Sequence, residues 1–187
     1  MNVQLKRWTR AEYERLGRHG VLGEDDGVQL IDGEIVQMGP QGPAHAAAVS
    51  LVADALRAVC GSGYHVRVQL PLAVSGESEP EPDLAVVSGT PRDYRDAQPT
   101  TAVLVVEVAE TTAEFDRDRK GPLYAGAGIR DYWVLDLAAA AVDVYRDPGR
   151  DRDGRPGYRS HIRLGGSEEI APLAFPQRPI PVRELLP

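Results

Sequence analysis

Pro82-Asp83-Leu84-Ala85-Val86-Val87 and Ala102-Val103-Leu104-Val105-Val106-Glu107-Val108 are the two stretches that decide how this chain folds. Each is a short apolar run rich in β-branched residues and preceded by turn-forming residues, the pattern of a strand buried in a sheet. Each also delivers one carboxylate, Asp83 at the start of the first and Glu107 near the end of the second. An ionised Asp or Glu beside buried Val and Leu is costly unless a cation or hydrogen-bond donors compensate it. Mg²⁺ is one such compensator, because it takes a few carboxylate oxygens and keeps waters for chemistry.

Upstream, Thr9 followed by Glu12 has the form of a capping box opening a short amphipathic helix to about Leu16. Val28-Gln29-Leu30-Ile31 and Glu34-Ile35-Val36-Gln37-Met38 flank Asp32-Gly33, the signature of a tight antiparallel hairpin with Glu34 at the first position of its second strand. A Gly/Pro loop, 39–43, hands over to a helix over 44–59. That helix carries Val49, Val52, Ala53, Leu56 and Val59 at helical spacing and stops before Gly61 and Gly63. Residues 64–74 alternate as a strand weakened at Pro71.

Downstream of the first decisive stretch, 88–101 is a polar loop with Pro91 and Pro99, and 102–108 is the most apolar strand, the candidate for the sheet centre. Thr111 or Thr112 caps a helix running through Lys120, which Gly121-Pro122 should kink or restart. Residues 131–136 and 141–146 read as a hairpin, 147–157 as a disordered turn, and the tail as short β pieces. Helix, hairpin, helix, strands, helix and further strands predict an α/β (α+β) mixed sheet with flanking helices in one domain over 1–187.

Composition narrows the classes of function. A chain of 187 residues supports one substantial core, and no run of eighteen or more apolar residues could span a bilayer, so a cytoplasmic location with no membrane partner is the expectation. A net charge of -7 argues against a strongly basic, non-specific nucleic-acid binder, yet metal-binding carboxylates add negative charge by themselves. The mixed-charge stretch 114–120 reads first as a solvated face. Cys60, the one cysteine, reads as a plain buried thiol.

Taken singly, Asp83 could simply begin a strand, Glu34 is an ordinary exposed strand residue, and Lys120 an ordinary surface lysine. Glu107 is harder to dismiss, because it interrupts an apolar run and must be satisfied by something. The combination has a chemical sense. Phosphodiester hydrolysis needs a metal to polarise the phosphoryl group and a cation near the developing charge, and two or three carboxylates with one lysine supply those parts. His45 is open between a phosphate donor and a structural residue of the helix start, and Tyr124 and Trp133 read as core aromatics.

Asp32-Gly33-Glu34, His45, Pro82-Asp83, Val106-Glu107-Val108, Lys120 with Tyr124, and Asp131-Tyr132-Trp133-Val134-Leu135-Asp136 together resemble the Uma-two family of restriction-endonuclease-like proteins, within the PD-(D/E)XK nuclease superfamily. The likeness runs from about Thr9 to Arg146. It implies a restriction-endonuclease-like core with Mg²⁺, or Mn²⁺ in its place, held by Asp83, Glu107 and the Val108 carbonyl. Glu34 would hold the metal or orient a water, and Lys120 would complete a catalytic set of Glu34, Asp83, Glu107 and Lys120. The superfamily pattern has its lysine two residues after the glutamate, where this chain has Ala109; Lys120 matches a lysine that the family carries on the next helix instead.

The resemblance implies a metal-dependent endonuclease hydrolysing DNA, with DNA as substrate partner. A homodimer is expected because double-strand cutting commonly uses two sites. The alternative is a non-catalytic nucleic-acid-binding or homo-oligomerising module that retains the nuclease fold.

Overall fold

The second decisive stretch forms the middle of a six-stranded mixed sheet, as its apolar composition predicts. The computed structural model describes residues 3–187. The sheet is built from β3 (Tyr64–Val68), β4 (Leu84–Ser88), β5 (Leu104–Ala109), β6 (Asp131–Asp136), β7 (Ala141–Arg150) and β8 (Pro156–Gly165), adjacent in that order. Only β5 and β6 pair in parallel; the other neighbours are antiparallel. Every residue of β5 and β6 is buried, which explains why their sequences run apolar without alternation.

Before the sheet come α1 (Arg10–Arg18), with Thr9 and Glu12 closing the expected capping box, and the hairpin β1 (Val28–Ile31) and β2 (Glu34–Gln37). Asp32 and Gly33 adopt φ of 48° and 75°, the left-handed pair that a two-residue hairpin turn requires. A Cβ on Gly33 would stand 2.9 Å from the Arg7 Cβ, so glycine is needed there on steric grounds as well.

Two cores flank the sheet. On one face α2 (Pro43–Val59) lays Ala48, Val49, Val52, Ala53 and Leu56 on Leu84, Val86, Leu104, Val106, Trp133 and Leu135. On the other, Ala85, Val87, Val105, Ala109, Tyr132 and Val134 pack with Tyr124 and Ile129. Tyr124 belongs to a helical segment made of α3 (Ala113–Phe115), a π-helical turn over Asp116–Lys120, and α4 (Gly121–Gly126). The chain ends in the two-stranded pair β9 (Glu169–Ile170) and β10 (Ile180–Pro181).

Three local expectations need correction. The strand expected over 64–74 ends at Val68, because Gln69 takes a left-handed φ of 51° and Pro71 follows. The disordered turn expected over 147–157 is largely strand: Asp147, at φ 58°, interrupts the ladder between Arg146↔Ser160 and Pro148↔Tyr158, and pairing resumes to Arg150↔Pro156. The helix expected from Thr112 through Lys120 is α-helical only at its start, since the π-helical turn takes over at Asp116.

Leu56 is fully buried under the sheet, so Leu56→Ala removes apolar contact and leaves a cavity. Urea unfolding should show a loss of about 2–5 kcal/mol. A loss below about 1 kcal/mol would contradict the packing of α2 on this face.

Candidate active site

Asp83 stands one residue before β4, where the register Leu84↔Val106 carries it opposite Glu107 of β5. Side chains alternate across a strand, so both carboxylates share the face of Ala85, Val87, Val105 and Ala109. The Asp83 Oδ2 accepts the Val108 N–H at 2.8 Å, and Oδ1 accepts the Gln69 Nε2–H at 3.2 Å. The break in β3 that ends the strand early thus serves the site. His45, in the first turn of α2, places Nε2 at 3.2 Å from Oδ2. Burial works to raise the Asp83 pKa, but the hydrogen bond and charge of His45, with the Val108 and Gln69 donors, hold it below the usual carboxylate value. The same Asp83 hydrogen bond, opposed by burial, raises the pKa of His45.

The peptide groups of β5 have a direction as well. The Ala109 carbonyl accepts the Leu137 N–H at 2.9 Å on the β6 side, so Val108, one residue earlier, turns its N–H and C=O toward β4. Its N–H meets Asp83 there, and its carbonyl faces the same way.

Lys120 reaches Glu107 because the helix widens. In a regular α-helix the Pro122 ring would strike the carbonyl of Asp118 and its missing N–H would leave that carbonyl without a partner. The chain makes a π-turn instead, with the Gly121 N–H on the Asp116 carbonyl, and the Tyr132 Oη donates to the same oxygen at 2.9 Å. The wide turn buries Asp116 and Lys120 together, each 2% exposed. The Lys120 Nζ lies 3.0 Å from the Glu107 Oε2 and 3.5 Å from the Asp116 Oδ1. The Tyr124 Oη donates to the Glu107 Oε1 at 2.7 Å, and the Thr112 Oγ1 donates to the Asp116 Oδ2 at 2.8 Å.

The outer side of the π-turn is pinned too. Arg117 pairs with Asp136 at 2.6 Å and Asp143 at 2.7 Å, and Arg163 pairs with the same two acids at 2.8 and 3.0 Å. Strands β6, β7 and β8 therefore hold the turn that aims Lys120.

Glu107, Asp83, Asp116, Glu110 and Lys120 line one cavity of about 310 Å³, with the loop 39–42 at its edge. The acids outnumber the ammonium. Burial pushes the Glu107 pKa up to about 8; Lys120 opposes the rise, and Asp116 and Asp83 add to it. Burial likewise raises Asp116. Lys120 is held above its usual value because Glu107 and Asp116 outweigh its desolvation. Among the described residues no group of three or more His, Cys, Asp or Glu side chains could hold a metal ion alone. Two carboxylates, a main-chain carbonyl directed toward them and a residual negative charge fit Mg²⁺, which takes one or two carboxylates and completes its shell with water.

Of the residues singled out from sequence, Asp83, Glu107, Val108 and Lys120 come together, and Glu34 does not. Glu34 opens β2 of the separate hairpin sheet, pairs with Arg7 at 3.0 Å and with Arg119 at 2.9 Å, and does not line the cavity. The Arg119 hydrogen bond, with the charges of Arg7 and Arg119, lowers its pKa. The carboxylate is compensated by guanidinium groups and needs no metal.

Asp116, Gln69 and the Tyr124 hydroxyl are the site residues that sequence reasoning passed over. One signal was available: Asp116, Lys120 and Tyr124 recur at intervals of four, which places all three on one side of a helix. Ala109, where the superfamily lysine would stand, lies on the Glu107 face and is buried. Cys60 is half-buried beside the α2 core, and burial pushes its thiol up to about 11, which suits a packing role.

Residues 10–183 match the family model described as "Uma2: Putative restriction endonuclease". A solved structure from Anabaena variabilis ATCC 29413, reported as "a putative nuclease belonging to DUF820", is similar over 95% of this chain and 96% of that one, with 17% identity and a TM-score of 0.70. At that identity the likeness establishes a shared fold. No curated protein matches the chain. The family match runs through both decisive strands and the segment bearing Lys120, and by its extent the chain belongs to the Uma2 family.

Proposed function

We propose that this chain is a Mg²⁺-dependent endonuclease that hydrolyses DNA phosphodiester bonds, with Mn²⁺ as an alternative ion. The observation that carries this reading is the convergence of Asp83, Glu107 and Lys120, from two strands and a π-turn, on one cavity. The family's description as restriction endonucleases supports the same chemistry.

Asp83, Glu107 and the Val108 carbonyl would hold the ion, which when bound supplies Lewis acidity to the phosphoryl group and acidifies the attacking water. Asp83 is kept ionised and oriented by its three donors. Glu107 is oriented by the Tyr124 hydroxyl. The Lys120 ammonium, beside Glu107, is placed to stabilise negative charge developing on the phosphate. Glu107 and Lys120 are each 2% exposed, so their contact acts in a lower dielectric than water and is correspondingly stronger. A homodimer would present two such sites to the two strands of a duplex.

Cleavage of plasmid and linear DNA across divalent metals tests the reading. Wild type should cut with Mg²⁺ or Mn²⁺, and Asp83→Asn and Lys120→Ala should each fall by at least about 100-fold. Equal cleavage by all three proteins would expose a contaminating nuclease and remove the assignment. Calorimetry showing no uptake of either ion would favour the non-catalytic module.

The raised Glu107 pKa sets a pH dependence. Burial holds Glu107 back from ionising and a bound cation draws it into the charged form, so metal affinity should rise with pH up to about pH 8 and then level off. Affinity that falls between pH 6 and 8 would contradict Glu107 as a ligand. Glu34→Gln should leave metal uptake unchanged; its loss would bring Glu34 back into the site.

A further inference from the structure

We infer that Asp116 is a positioning residue for Lys120, a second anchor that keeps the ammonium aimed into the cavity when Glu107 gives its charge to a metal ion. The inference rests on the nuclease reading of the same site.

Lys120 has two carboxylate partners, and they differ in kind. Glu107 faces Asp83 across adjacent strands and belongs with it to the proposed ion site. Asp116 is tied elsewhere: its Oδ2 accepts the Thr112 hydroxyl, its main-chain carbonyl accepts the Gly121 N–H and the Tyr132 hydroxyl, and its Oδ1 is directed to the Lys120 Nζ. A lysine ammonium is a point charge on a flexible stem, and its direction comes from its acceptors. With Glu107 shared with a cation and no second acid, a 2% exposed ammonium would be left poorly compensated and would lose its direction. Asp116 prevents both outcomes. Because one residue supplies the π-turn carbonyl and the anchoring carboxylate, the turn forced by Pro122 and the aim of Lys120 are mechanically the same feature.

The test compares wild type with Asp116→Asn, Asp116→Glu and Thr112→Val. Thr112→Val removes only the hydroxyl that orients Asp116 and serves if the Asn variant fails to fold. Three quantities are measured on each: the side-chain ammonium ¹H–¹⁵N signal of Lys120 in protein without metal, calorimetric Mn²⁺ uptake, and kcat and KM on plasmid DNA. The expected result is a weaker, broader ammonium signal in Asp116→Asn, where Glu107 alone still holds Lys120 in the metal-free protein, unchanged Mn²⁺ stoichiometry, and a kcat lower by about 10–100-fold at unchanged KM. Asp116→Glu should recover most of the kcat, and Thr112→Val should give the same changes in smaller measure.

Loss of Mn²⁺ uptake in Asp116→Asn would make Asp116 a ligand and overturn the inference. An unchanged ammonium signal and kcat, with only a lower melting temperature, would reduce it to a structural residue and overturn it equally. A wild type that neither takes up metal nor cuts DNA would remove the nuclease reading, while the ammonium signal would still decide whether Asp116 holds Lys120.

Discussion

The ion pair between Lys120 and Glu107, 3.0 Å long and 2% exposed on both sides, is the contact on which the rest of this structure depends. Two charges taken out of water lose several kcal/mol each of solvation, about as much as their attraction returns, so such a pair persists only when its remaining valences are filled. Tyr124 donates to the second oxygen of Glu107, and Asp116, 3.5 Å from the Lys120 Nζ, sets a second negative charge beside the ammonium. Removing either partner alone would strand a buried charge, which in comparable sites costs about 3–5 kcal/mol. A protein has little stability to spare on such an arrangement, and polar groups of this kind concentrate where chemistry is done.

The sheet makes the arrangement possible. Antiparallel pairing of β4 and β5 sets Asp83 opposite Glu107, and the β5–β6 parallel pair turns Val108 toward Asp83. The π-turn then delivers a lysine that no strand carries. Its outer face is fastened by Arg117 and Arg163 on Asp136 and Asp143, so β6, β7 and β8 fix a side chain that acts beside β5. Strand geometry places the acids, and helix geometry places the cation.

Much of this was legible in the sequence, for physical reasons. Apolar runs, β-branched in β4 and β5 and aromatic in β6, mark buried strands, so all three could be read along with the central place of β5. Asp32-Gly33 demands its hairpin, and Gly42-Pro43 opens α2. What escaped depends on contacts distant in sequence or on a departure from regular geometry. Asp116 was hidden in the mixed-charge run 114–120, which looks solvated unless one knows that Pro122 widens the turn and buries one edge of it. Gln69 reaches Asp83 only because β3 stops there. The outer half of the β7–β8 hairpin was masked by Asp147, Pro148 and Gly149, residues that usually end a strand. Glu34 read by itself as an ordinary exposed strand residue, and the structure has it exposed and paired with two arginines from distant segments; only the family resemblance implied a place for it in the site.

One divalent ion bound by Asp83 and Glu107 beside Lys120 is what the proposed function requires. Anomalous diffraction from crystals soaked in Mn²⁺ tests it most directly. The expected peak is in contact with the Asp83 and Glu107 carboxylates and the Val108 carbonyl, with the Lys120 ammonium adjacent and Glu34 still on its arginines. A map without a peak there, or with the ion bound at Glu34 instead, would contradict it.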